Sequence, residues 1–115
     1  MKKSELEELF AQQVADRGLP PPTREEQIIP GRRHAYDFCW RKYRLVVEIN
    51  GGTFARGKSG HNSGVGIARD YWKVRRAQDN GWTIYPFDAK AITDKEAIDE
   101  VAEYIENKKK KNGQG

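Results

Sequence analysis

Cysteine is nearly missing from this chain. Cys39 stands alone, so an intramolecular disulfide and a cysteine-rich zinc site are both excluded. Histidine is scarce as well: His34 and His61 are the only two, too few for a histidine metal cage. No stretch approaches the roughly 20 apolar residues needed to span a bilayer. The start, Met1-Lys2-Lys3-Ser4-Glu5, is basic, but no apolar signal-peptide run follows it. The expectation is a soluble, cytoplasmic protein without a membrane partner. No internal repeat is visible.

What is present fits one compact unit. The chain has 115 residues, 37% hydrophobic and 33% charged, with three Trp, five Tyr and four Phe. That fills one modest core and does not describe a disordered chain. A single domain over 1–107 with a basic, frayed tail over 108–115 is expected. The charge is unevenly spread. Residues 31–90 carry twelve basic and five acidic side chains, while both flanks are slightly acidic. A positive block of this kind suits a polyanion, most commonly nucleic acid; a merely solvated basic surface is the bland alternative.

Ser4-Glu5-Leu6-Glu7 reads as a capping box, and Leu6, Leu9, Phe10 and Val14 share one helical face. A helix over about 4–17 follows, stopped by Gly18 and Pro20-Pro21-Pro22. Gln27-Ile28-Ile29 is a short strand candidate. His34 to Trp40 alternates and is aromatic, so it reads as a strand. After a turn at Arg41-Lys42-Tyr43, Arg44 to Ile49 is an almost continuous apolar run, as in a strand buried on both faces. These two strands suit a hairpin. Six of the eleven glycines fall within 51–66, which marks a long flexible loop, of a kind that is usually functional or disordered. Helical periodicity resumes over 67–80, Trp82 to Phe87 reads as a strand with Pro86 at an edge, and Thr93-Asp94-Lys95-Glu96 is a second capping box. Ile98, Val101, Ala102 and Ile105 form the stripe of a last helix. The order predicts an α/β fold, with a central mixed sheet and helices on both faces.

Two carboxylates stand where strands should be apolar. Asp37 lies within Ala35-Tyr36-Asp37-Phe38-Cys39-Trp40, and Glu48 within Leu45-Val46-Val47-Glu48-Ile49-Asn50. A buried carboxylate costs several kcal/mol unless it is paired or binds a metal. Two on adjacent hairpin strands can converge, and hard oxygen ligands suit Mg²⁺, with Mn²⁺ as a substitute. Such an ion polarises a phosphodiester and lowers the pKa of an attacking water. The alternative is a salt bridge to Arg32, Arg33, Arg44 or Lys73.

An Asp in one strand, ten residues, then Glu48-Ile49-Asn50 at the end of the next, then a helix, resembles the PD-(D/E)XK nuclease superfamily. The stretches Tyr36-Asp37-Phe38-Cys39-Trp40 and Val46-Val47-Glu48-Ile49-Asn50-Gly51-Gly52-Thr53 look like small phage-encoded endonucleases of that superfamily and its Vsr-like and DUF559-type branches. Asp70-x-x-Lys73 and Asn80-Gly81-Trp82-Thr83-Ile84 fit the helix and last core strand, so the resemblance covers roughly 22–88. It implies a restriction endonuclease-like three-layer α/β/α core and a Mg²⁺-dependent endodeoxyribonuclease, in the host cytoplasm if phage-encoded. Asp37 and Glu48 would bind metal, with the Ile49 carbonyl as a third ligand. The triplet's lysine is Asn50 here. Lys73 is the first candidate to orient water or stabilise the phosphorane in its stead, and Lys58 the second. A catalytically degenerate nucleic-acid-binding module is the alternative that Asn50 favours.

Other residues are weaker candidates. His61 could serve as general acid or base or contact a phosphate, or be an ordinary loop histidine; His34 has no evident partner. Glu5 and Glu8, more than the cap-engaged Glu7, could complete a metal shell, and Glu25 is an outsider. Phosphate contacts are expected from Arg32, Arg33, Lys58, Arg69, Arg75 and Arg76, with Arg41, Lys42, Arg44 and Arg56 as further cations. Phe54 could stack on bases, whereas Trp40, Trp72 and Trp82 read as core or near-core. The DNA substrate stays open: junction, mismatch, flap or weakly specific duplex. So small a domain has little surface for base readout. A junction resolvase would require a homodimer.

Overall fold

The computed structural model describes residues 1–50 and 71–113. Helix α1 spans Lys3–Asp16 and buries Leu6, Phe10, Gln13 and Val14, a helical stripe. It begins earlier than Ser4. The backbone N–H of Lys2 donates to the Glu5 carboxylate at 2.6 Å, so Glu5 supplies the cap and Ser4 lies inside the helix. Strand β1 is Thr23–Gln27, not 27–29. Its sequence, Thr-Arg-Glu-Glu-Gln, is polar and mostly exposed, as suits an edge that must not recruit another strand. Ile28 and Ile29 leave the strand to bury themselves in the core.

Strands β2 (Ala35–Trp40) and β3 (Leu45–Ile49) form the expected hairpin. A 3₁₀ turn over Arg41–Tyr43 connects them, with Arg44 left-handed at φ 52°. All five β3 residues are buried. Helix α2 is helical over residues 71–79. Strand β4 (Thr83–Phe87) pairs parallel with β3 and is the second sheet edge, where Pro86 is tolerated. A short helix α3 (Ala89–Thr93) follows, which periodicity does not reveal; Asp88 caps it by accepting from the Ala91 N–H at 2.9 Å. Thr93 ends that helix, so the second capping box does not form. Helix α4 (Glu96–Lys111) starts after Lys95, which is left-handed at φ 66°. It runs four residues past the expected boundary at 107. Lys108 to Lys111 make its last turn, where positive charge favours the helix dipole.

The sheet order is β1-β2-β3-β4, antiparallel except for the last pair. This is a mixed α/β sheet with helices on both faces. Leu45, Val47 and Ile49 pack with Phe10 of α1, Ile92 of α3 and Ile98, Val101 and Ile105 of α4. Val46 and Ile84 face the other way, against Ala77 of α2, Ile28, Ile29 and Trp82. Strand alternation therefore supplies two cores, and β3 between them carries Glu48. Among the described residues no helix is long and apolar enough to cross a membrane.

Candidate active site

The β2–β3 ladder pairs Trp40 with Leu45, Cys39 with Val46 and Phe38 with Val47. One step further brings Asp37 opposite Glu48, and there the side chains take over the backbone donors. The Asp37 N–H donates to Glu48 Oε1 at 2.9 Å, and the Ile49 N–H donates to Asp37 Oδ2 at 2.8 Å. Both residues are under a tenth exposed, Asp37 at 9% and Glu48 at 8%. The two carboxyl groups are thus locked to each other's strands.

Alternation breaks at the same place. Residues two apart on a strand share a face, yet Tyr36 lies in the α2-side core and Phe38 in the α1-side core. On β1, Glu25 falls between the pairs Arg24–Phe38 and Glu26–Tyr36, and its φ of 50° marks a matching kink. The consequence is a division of partners. Asp37 reaches a cation from α1, and Glu48 reaches one from α2.

The α2 cation is Lys73. Its Nζ lies 2.7 Å from Glu48 Oε2, donates to the Ala35 carbonyl at 2.5 Å, and sits 4.5 Å from the Tyr36 ring centroid. The Tyr36 hydroxyl in turn donates to the Lys73 carbonyl at 2.8 Å. The Lys73 side chain is 11% exposed, so it is no ordinary surface lysine. Of the salt-bridge partners that the sequence offers, only Lys73 is engaged with either carboxylate; Arg32, Arg33 and Arg44 are not. An ion pair between Lys73 and Asp70 lies outside the described residues.

The α1 cation is Lys3, which sequence reasoning missed. Its Nζ bridges Asp37 Oδ1 at 2.9 Å and Glu7 Oε2 at 2.6 Å. Lys3 and Glu7 stand one helical turn apart, a spacing visible in the sequence, but only the fold brings them to Asp37. Glu7 is therefore the helix glutamate beside the site. Glu5 is the cap, and Glu8 pairs with Arg24 at 3.0 Å.

Burial pushes the Glu48 carboxyl above its ordinary range, and the neighbouring Asp37 charge adds to this; Lys73 and the Asp37 N–H pull it partly back. Tyr36 is pushed up to about 12, first by burial and then by the Glu48 charge. For Lys3, burial works downward, but hydrogen bonds to Glu7 and Asp37 and their charges outweigh it, and its pKa is raised.

The remaining candidates divide. Asn50 donates its backbone N–H to the Phe87 carbonyl at 2.9 Å. It lines a cavity of about 430 Å³ with Asp88, Glu96 and Glu100, and neither Asp37 nor Glu48 borders that cavity. The Ile49 side chain belongs to the core, so only its backbone is available to a ligand. Arg44 is structural: it donates to the Asn80 carbonyl at 2.6 Å and lies 4.5 Å over Trp82. Arg41 pairs with Glu26 at 3.0 Å. Trp40 and Trp82 are buried as expected, and Trp72 is half-buried, in neither core cluster among the described residues. His34 does have a partner, stacking on Trp72 with ring centroids 4.5 Å apart. Arg32, Arg33 and Arg75 are exposed. Lys58, His61 and Arg69, with Phe54 and Arg56, lie outside the described residues.

The donor set at Asp37 and Glu48 is all oxygen, anionic and buried, which fits Mg²⁺ or Mn²⁺ better than a softer ion. The fit is also seen in what holds the carboxylates now: each faces an ammonium, so positive charge is already required there. Among the described residues no third His, Cys, Asp or Glu completes a ligand cluster. Remaining positions would fall to the Ile49 carbonyl, water and substrate, in keeping with the way Mg²⁺ retains waters. No family model matches the chain, and no curated protein matches it.

Proposed function

We propose that the protein is a metal-dependent DNA endonuclease with a restriction endonuclease-like core of the PD-(D/E)XK type. The observation that supports this most is the buried Asp37–Glu48 pair at the hairpin's open end, with the Lys73 ammonium 2.7 Å from Glu48. Asp37 and Glu48 would hold Mg²⁺, with the Ile49 carbonyl as a third ligand. The ion would supply charge neutralisation at the scissile phosphate and a water of lowered pKa. Lys73 would orient an attacking water or stabilise charge on the phosphorane, in place of the triplet lysine that Asn50 replaces. Its bonds to the Ala35 carbonyl and the Tyr36 ring hold the ammonium in one place, so little reorganisation is needed. The basic middle of the chain binds the DNA backbone.

A binding module without catalysis is the second reading. Its support is Asn50, which borders the cavity of Asp88, Glu96 and Glu100 rather than the carboxylate pair. The two are separated by a cleavage assay with Mg²⁺, Mn²⁺ or EDTA on labelled junction, mismatch, flap, single-stranded and duplex DNA. Cutting that needs metal and disappears in Asp37→Asn and Glu48→Gln supports the nuclease. Its preferred substrate then names the task, and junction preference would call for a homodimer. Binding to every substrate with no cutting in either metal overturns the nuclease in favour of the binding module.

A further inference from the structure

Beside the carboxylate pair the chain places four side chains that the proposed chemistry does not use. His34 stacks on Trp72 at 4.5 Å with ring planes 40° apart. The Arg32 guanidinium lies 5.8 Å from the centroid of the same indole, and the Arg76 guanidinium 5.7 Å. Arg32 and His34 come from the β1–β2 connection, Trp72 and Arg76 from α2. The two segments are stapled together one residue away, where Lys73 donates to the Ala35 carbonyl. Among the described residues, Trp72 is half-buried and belongs to neither core cluster. Among the described residues, Asp79 is the one carboxylate paired with this group, at 2.6 Å from an Arg76 terminal nitrogen. Arg76 Nε is buried with no hydrogen-bond partner.

We propose that Arg32, Trp72 and Arg76, with His34 as their support, form a clamp for a nucleic-acid backbone phosphate next to the Lys73 site. This rests on the nucleic-acid reading above and gives it a location. A guanidinium lying on an indole keeps its edge N–H groups directed outward and loses little further freedom when an anion arrives. Both guanidinium groups lie within 5.8 Å of the centroid of the one indole, with Asp79 taking up part of the Arg76 charge. The Arg76 side chain is 36% exposed, so an anion meets its outer guanidinium edge and not the buried Nε. Arg32 and Arg76 each lie three residues from the Ala35–Lys73 contact, so the clamp positions a strand near the ammonium that faces Glu48 rather than reading its bases.

Binding in EDTA tests this without any cleavage. Fluorescently labelled duplex and single-stranded DNA are titrated at several salt concentrations. Arg32→Gln and Arg76→Gln should each weaken binding and lower the salt slope by about one. Lys109→Gln, removing the same charge from the last turn of α4 on the opposite face, should leave the slope nearly unchanged. Trp72→Leu should weaken binding about two- to fivefold with the slope retained, and Trp72→Phe should restore most of it. Unchanged slopes in both arginine variants, or an equal fall in Lys109→Gln, would overturn the clamp while leaving the nuclease reading intact, since that reading stands or falls on cleavage. Absence of wild-type binding to either DNA would overturn the clamp together with the nucleic-acid reading. Melting curves of each variant separate lost binding from lost folding.

Discussion

Glu48 carries both the proposed chemistry and a cost in stability. Its folded-state pKa is raised, chiefly by burial and next by the Asp37 charge. Above its ordinary value of 4.5 the unfolded carboxyl releases its proton first. The folded state then holds more protons, and stability falls as pH rises from there through the raised value. Glu48→Gln should remove this slope, so its melting temperature should gain on wild type as pH goes from 4 to 8. A parallel pair of melting curves would refute the raised pKa. Lys73 is the reciprocal case. Lys73→Met leaves a buried carboxylate unpaired and should cost about 3 kcal/mol or more in urea denaturation. Lys73→Met combined with Glu48→Leu should recover most of that loss, because the charge and its partner leave together. A double variant as unstable as the sum of the two singles would show that the pair is not coupled.

At the level of elements, α1 is the third wall of the site. Its first turn delivers Lys3 to Asp37 and Glu7, and its apolar stripe fixes the helix against β2 and β3. Lys3 stands where added positive charge at Asp37 would have to come. Lys3→Gln should therefore bind Mn²⁺ about two- to fivefold more tightly at low salt, the scale of a half-exposed ion pair. Calorimetric titration checks this, and equal affinities would show that Lys3 does not compete. Much of the element plan was legible. Phe10 and Val14 mark α1, β2 and β3 show their alternation and apolar run, and Ile98 to Ile105 mark α4. The polar β1 was not legible, because an edge strand needs no apolar face. Nor was α3, whose five residues are too few to show a period.

For the molecule as a whole, stability comes from two apolar layers on one mixed sheet, while the candidate site sits where that sheet opens. Ile105 of α4 is fully buried in the α1-side core. Ile105→Ala should cost about 2–5 kcal/mol in denaturant unfolding. Its effect on DNA binding should be small at temperatures where the variant remains folded, since the proposed phosphate contacts lie on α2 and the β1–β2 connection. A loss of binding as large as that in Arg76→Gln, with folding intact, would argue that α4 shares in the interface. The basic charge concentrated in residues 31–90 is a property of the whole surface, and no single arginine stands for it. Arg44 and Arg41 show why: both are held against Trp82, at 4.5 and 5.8 Å.

The amino-acid sequence by itself determined the mixed α/β character, the hairpin and the two carboxylates set into it. Those follow from side-chain period and from the cost of burying charge, both of which are local. Only the tertiary structure decided what the carboxylates meet. Lys3 lies 34 positions from Asp37, and Lys73 lies 25 from Glu48; no spacing rule connects them. It also decided that Glu7 rather than Glu5 or Glu8 faces the site, that Asn50 borders a different cavity, and that His34 rests on Trp72. These are choices of packing: which helix lies on which face, and where a strand kinks, depends on every apolar contact at once.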